Sequence, residues 1–267
     1  MTGRLDTEAD RFKRTLLGLS DARLRVDWLD SQVQSEPTAT LAPLLDAVIG
    51  ESESAEPRAR EALVTIALWV AGQARESDLD RLRETAFEQR LLSLQRVIRR
   101  VPPSSQAPPR NSKIPDYGTG RELTLGERRS LARRSDRNGF DALLKDPHPM
   151  VITELLTNPK TTEEDVIRVA AYRPARASSI EAIARTRWLT RRRVRMAVIL
   201  NPGSPGNVAL PLVGLCTRSE LLQVARGADV PSIVRITANE LAERRPPLWD
   251  PEWDAERDED DPGPVLQ

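Results

Sequence analysis

Apolar residues recur at helical spacing along most of the chain. Val151, Val194 and Val234 are each followed four residues later by another apolar residue, Leu155, Val198 and Ala238. They open the related stretches VITELLTNP, VRMAVILNP and VRITANEL, separated by 43 and 40 residues. Periods of this size belong to helical units that stack into a solenoid. Asp146-Pro147 suits a helix start, and Asn158-Pro159 suits its end because a residue before proline avoids the α region. Thr161-x-x-Glu164 then reads as a capping box, and Arg173-Pro174 as the close of that helix. Each period has room for three short helices: 147–157, 162–172 and 178–187, then 190–200, 205–215 and 219–226. Ser178-x-x-Glu181 and Thr217-x-x-Glu220 would cap the third of each set. A last helix from Asp229 to about Arg245 closes the stack.

Upstream, Thr124-x-x-Glu127 forms a further capping box, and Leu131, Leu143 and Leu144 begin the repeat core. The first hundred residues read as five or six more helices. Residues 5–34 are amphipathic, with Ser20-Asp21 as an internal cap. Residues 39–49 form a helix stopped by Gly50, with Pro43 near its first turn, and ESESAEP follows as a loop. The run from Pro57 through ALVTIALWV is apolar on nearly every side and should be the centre of an N-terminal bundle. Ser77-x-x-Asp80 resembles a cap, and Leu79, Leu82, Leu91, Leu92, Leu94, Val97 and Ile98 carry the pattern to Arg100. Alternating β-branched runs are missing, so the predicted class is all-α: a solenoid of HEAT or armadillo-like repeats beside an N-terminal helical bundle.

Residues 101–120 contain five prolines and no period. They read as a linker between a helical domain at 1–100 and a repeat domain at 121–245. Residues 246–267 carry too little apolar surface to fold alone and read as a disordered acidic tail.

The aspartate-proline opening at Asp146 and Pro147, the pairs Val194-Arg195 and Val234-Arg235, and the exits Asn158-Pro159 and Asn201-Pro202 resemble the HEAT-type and leucine-rich-repeat-variant class of bacterial helical repeats. The likeness spans residues 124–245. It departs from that class at Val151-Ile152, where the variant pattern prefers arginine, and in a period longer than leucine-rich families use. Some variant members hold an iron–sulfur cluster on grouped cysteines; with Cys216 alone, that feature does not carry over. The resemblance implies a binding scaffold, not a reaction.

Charge adds the next layer. The chain is neutral overall, with 40 basic and 40 acidic residues, but the balance is uneven. Residues 121–245 hold 22 Lys and Arg against 14 Asp and Glu, whereas residues 246–267 hold 1 against 8. A basic body with an acidic tail hints at an interaction segment. Nearly all the basic residues are arginine, as phosphate or carboxylate recognition would use, although a GC-rich genome gives the same bias. The N-terminus lacks the apolar core of a signal peptide and the longest apolar run is too short to span a bilayer, so a cytoplasmic protein without membrane contact is expected.

Candidate chemistry is sparse. His148 is the only histidine and reads as a loop or cap residue, Cys216 as a small core residue, and the carboxylates at 163–165 as helix-dipole partners. Neither GxGxxG nor GxxxxGK[ST] occurs, and no cofactor, metal or catalytic set is called for. The sharpest feature is the arginine cluster from Arg185 to Arg195. On a helix starting near Thr190, Val194, Ala197 and Val198 turn inward while Arg191, Arg192 and Arg195 share an outward ridge beside Arg187 and Trp188. Such a ridge reads first as a solvated face, and it also suits an acidic protein surface or the chain's own tail. With Trp188 free for stacking, it also suits nucleic-acid phosphates. In the tail, Trp249 and Trp253 sit four apart among carboxylates as candidate anchors. The expectation is therefore a non-enzymatic protein-interaction scaffold under the control of its tail. The alternative is a nucleic-acid-binding protein or a glycosylase-like DNA-modifying enzyme on a HEAT-like fold, whose catalytic carboxylates are not identifiable.

Overall fold

Helix α4 (Pro57–Gly72) is the hub of the molecule. Ala59, Ala62, Leu63, Ile66, Ala67, Trp69 and Val70 are all buried, so its apolar surface meets neighbours on several sides. A computed structural model describes residues 2–54, 56–101, 113–173 and 176–245 of the chain, with side chains from residue 5. Among them are fifteen α-helices and no strand. None of these helices is long and apolar enough to cross a membrane.

Around α4 lie α1 (Thr2–Gly18), α2 (Ala22–Ser35) and α3 (Thr38–Glu53), followed by α5 (Glu76–Glu88) and α6 (Leu92–Val97) packed on α3. Asp21 caps α2 as its sequence suggests, and Trp69 of α4 donates its Nε1–H to Asp30 of α2 at 2.9 Å. Three local expectations fail here. Gly50 does not stop α3, because the helix runs on to Glu53 so that Glu51 pairs with Lys13 and buried Glu53 pairs with Arg96. Much of ESESAEP is therefore helix, and Pro43 lies inside α3 rather than at its start. The Ser77-x-x-Asp80 cap does not form, since α5 is capped two residues earlier, at Arg75, and it is Asp78 that is buried between Gln34, Arg75 and Arg81. The apolar pattern through Leu92 also breaks: Arg90 takes a left-handed φ of 56° at the turn into α6 and leaves Leu92 exposed.

Nine helices follow: α7 (Leu125–Arg134), α8 (Phe140–Leu143), α9 (Pro149–Thr157), α10 (Glu163–Ala170), α11 (Ala177–Ala184), α12 (Arg192–Ile199), α13 (Gly206–Val213), α14 (Arg218–Arg226) and α15 (Ser232–Arg244). Among them α7 packs against α9, α10 against α12 and α13 against α15, while α9 also packs against α11 and α12 against α13. Val151 on α9, Val194 on α12 and Val234 on α15 are all fully buried. The capping boxes at Thr124 and Thr217 form as their sequences suggest. The box expected at Thr161 is shifted by one residue to Thr162 and Asp165, because Thr161 turns inward and donates to the Leu155 carbonyl at 2.5 Å. Ser178 caps nothing, as α11 starts at Ala177. Pro174 lies outside the described residues.

Nor does Asp146-Pro147 open a helix. His148 is the cap of α9, its Nδ1 accepting from the Met150 N–H at 3.2 Å, and Pro149 follows as the first helical residue. Asp146 is instead buried, taking two bonds from Arg128 Nη1 at 2.5 and 2.8 Å and a short one from the Tyr117 hydroxyl. Burial and this carboxylate push the Tyr117 hydroxyl well above its ordinary pKa.

The two halves of the chain share one apolar core. Helix α4 packs against α11 and α13, and Arg60 of α4 donates to the Leu215 carbonyl at 3.3 Å. At the foot of α13, the Gly206 backbone lies so close to the Val101 side chain that any Cβ there would collide with it. Both flanks of the proline-rich stretch are thus seated on the fold, Val101 on α13 and Tyr117 on Asp146.

Candidate interaction surface

The Asn-Pro exits do more than stop helices. After α9, Asn158 turns its amide inward and donates to the Ala132 and Ser135 carbonyls at 2.9 and 3.3 Å, at the end of α7. After α12, Asn201 repeats this toward Ala170 and Tyr172 at 2.6 and 3.3 Å, at the end of α10. Each side-chain oxygen accepts the N–H two residues on, from Lys160 and Gly203. Three residues past each asparagine, Thr161 and Ser204 return a hydroxyl to the carbonyls of Leu155 and Val198, both at 2.5 Å. Helix ends carry unsatisfied carbonyls, and these side chains satisfy them from the neighbouring helix. After α15 the same position relative to α13 is taken by Arg245, which donates to the Gly214 carbonyl at 2.9 Å.

This bonding sets the surface on which the arginine cluster stands. Between α11 and α12 runs a short 3-10 turn, Arg187–Thr190, capped by Thr186. Trp188 in this turn is only 8% exposed, and its Nε1–H donates to the Leu156 carbonyl at 3.0 Å. It is a core residue that ties the turn to α9 and has no face free for a base to stack on. Arg195 leaves the expected ridge as well. It is half-buried along α12 and donates to the Thr190 carbonyl at 2.6 Å, and burial pulls its guanidinium below the ordinary arginine pKa.

The remaining arginines divide in two. Arg192 pairs with Glu220 of α14 at 2.6 Å and Arg193 with Glu164 of α10 at 3.0 Å. Arg192, Arg193 and Glu220 line a concavity of about 410 Å³ together with Ile167 and Met196. Arg185, Arg187 and Arg191 are exposed and have no ion-pair partner among the described residues; Arg187 lies over the Trp188 ring at 5.2 Å. Three unpaired guanidiniums therefore flank one rigid turn. Trp249 and Trp253 lie outside the described residues.

No other chemistry gathers here. Cys216 is buried, its thiol pushed up to about 12 by burial, and packs near Met196. Among the described residues, no group of three His, Cys, Asp or Glu side chains is placed to hold a metal ion. No family model, curated protein or solved structure matches the chain.

Proposed function

We propose that the chain is a non-enzymatic interaction scaffold in which α7–α9, α10–α12 and α13–α15 are successive layers of a HEAT-like solenoid, and that its partner-facing surface is the arginine-flanked turn 185–191. The layered reading is supported by the recurrence of the Asn158 and Asn201 bonds in helix sets 43 residues apart. The observation that carries the binding reading is the trio Arg185, Arg187 and Arg191, exposed and unpaired beside a turn anchored through Trp188. Exposed guanidiniums without a carboxylate partner among the described residues suit planar anions, foremost the carboxylates of an acidic protein surface. The eight carboxylates of residues 246–267 make the chain's own tail a competitor for this surface, with Trp249 and Trp253 as its anchors. The reading includes a cytoplasmic setting, which suits a chain with one buried cysteine.

The test uses the full chain with the eight tail carboxylates, Asp250, Glu252, Asp254, Glu256, Asp258, Glu259, Asp260 and Asp261, replaced by their amides, titrated against labelled acidic peptide of sequence 246–267 and against labelled DNA over a salt series. Peptide binding that disappears with Arg185→Gln, Arg187→Gln and Arg191→Gln together supports the proposal. Tight DNA binding with a steep salt slope assigns the surface to nucleic acid instead. Binding of neither leaves these arginines a solvated face.

A further inference from the structure

A second concentration of positive charge lies inside the molecule. Arg245, which follows α15, is 1% exposed. One of its nitrogens donates to the Gly214 carbonyl, while Nε and Nη1 are buried with no hydrogen-bond partner among the described residues. The next carbonyl, Leu215, accepts from Arg60. Neither guanidinium has a carboxylate partner among the described residues.

The acidic side chains nearby are already bonded. Glu53 holds Arg96 through both oxygens, and Glu220 holds Arg192 while closing the capping box at Thr217. Cys216 adjoins the two carbonyls in sequence and stays a neutral thiol, so it supplies no compensating charge. Half-buried Arg195 adds to the positive field felt there. Cations at a helix C-terminus satisfy its last carbonyls, and α13 accounts in this way for one N–H of each arginine. It leaves two buried nitrogens of Arg245 without a protein partner among the described residues, and a guanidinium cannot relieve that by losing its proton.

We propose that Arg245 and Arg60 form an oxyanion site that takes a carboxylate or phosphate group at the junction of α4, α13 and α15. Arg60 is only half-buried, which gives the site an approach from solvent. Two sources supply the required chemistry. The chain itself continues from Arg245 into a segment bearing Asp250, Glu252 and Asp254, and a free phosphate-like anion is the other source. The site is separate from the exposed turn at 185–191 and stands whether or not that surface binds anything.

Thermal unfolding of the full chain in increasing inorganic phosphate, with ionic strength held constant by sodium chloride, tests it. The chain with all eight carboxylates of residues 246–267 replaced by their amides is read first. A saturable rise of about 3 °C or more in its midpoint, absent when Arg60→Gln is added, supports the site. If the wild-type chain starts at the raised midpoint and ignores phosphate, the tail carboxylates are the native occupant. If it responds like the neutralised chain, the occupant is a free anion. Arg245→Met is expected to unfold below wild type in phosphate, because it removes the ligand's main partner. The proposal is overturned by no saturable response in the neutralised chain, or by an equal response with Arg60→Gln, which would be the general effect of phosphate on burial. An Arg245→Met chain as stable as wild type in phosphate would overturn it too. Arg185→Gln, Arg187→Gln and Arg191→Gln together leave the phosphate response intact, so the two readings fail independently.

Discussion

Arg128 and Asp146 in the first set of three helices hold the positions that Val166 and Leu189 hold in the second, counted from the capping threonines Thr124 and Thr162 and from the exits Asn158 and Asn201. All four side chains are buried. In the proposed stack, one frame thus accepts a hydrogen-bonded ion pair at one level and two aliphatic residues at the next. The frame is therefore set elsewhere, in features common to both levels: the inward valines, the capping boxes at Thr124 and Thr162, and the asparagine bonds from the third helix to the first. The ion pair is a local solution with a different liability. Two aliphatic residues can be trimmed one at a time, whereas removing half of a buried pair leaves a charge without a partner.

The largest expected effect follows directly. Asp146→Ala strands the Arg128 guanidinium and the Tyr117 hydroxyl, and should lower stability by about 3–5 kcal/mol in urea unfolding. The double replacement Arg128→Met with Asp146→Leu copies the apolar second level and should fall within about 1 kcal/mol of wild type. A double variant as damaged as the single one would break the comparison, showing that the first level depends on its polar network. Next in size, Asn201→Ala frees the Ala170 and Tyr172 carbonyls and should lower stability by about 2 kcal/mol, with Asn158→Ala matching it closely. A wide gap between them would mean that the two exits are alike in sequence but not in role.

Smaller again is Trp188→Phe, which keeps the ring in the core but removes the bond to Leu156. A loss of about 1 kcal/mol is expected, with binding at the neighbouring arginines unchanged. The smallest effect concerns pH. Glu127 is held at about 2, against an ordinary 4.5, chiefly by Arg121 and then by the Thr124 backbone and hydroxyl. Because the folded value is the depressed one, the stabilisation is complete above about 4.5 and disappears as pH falls through about 2. Glu127→Gln should therefore flatten the acid limb of the stability curve slightly over that window, and Thr162 with Asp165 gives the matching experiment at the second level.

What could be read in the sequence were the features whose causes are local. The caps at Thr124 and Thr217, the exits at Asn158 and Asn201 and the buried valines depend on residues within a turn of one another. The misread features depend on partners far along the chain. Asp146 looks like a cap until Arg128 and Tyr117 are placed beside it, and Gly50 looks like a stop until Lys13 and Arg96 give the next turn of α3 something to bind. Trp188 among arginines looks like a stacking platform because nothing near it in sequence announces the carbonyl of Leu156. Arg195 is the exception, since its partner is close in sequence: the side chain folds back onto the turn before α12 and donates to the Thr190 carbonyl, which helical spacing alone does not show. Arg60 and Arg245 had no local sign at all; the burial that makes them notable arises only when α4, α13 and α15 meet.

The collision that any side chain at Gly206 would suffer with Val101 has a consequence for how the polypeptide behaves when cut. Val101, the first residue of the proline-rich stretch, is fastened to the later half, and so is Tyr117 near its end. A protease nick between the two would sever the backbone without parting the fragments. They should travel together on a sizing column, separate only in denaturant, and find each other again when it is removed, as a complementing pair.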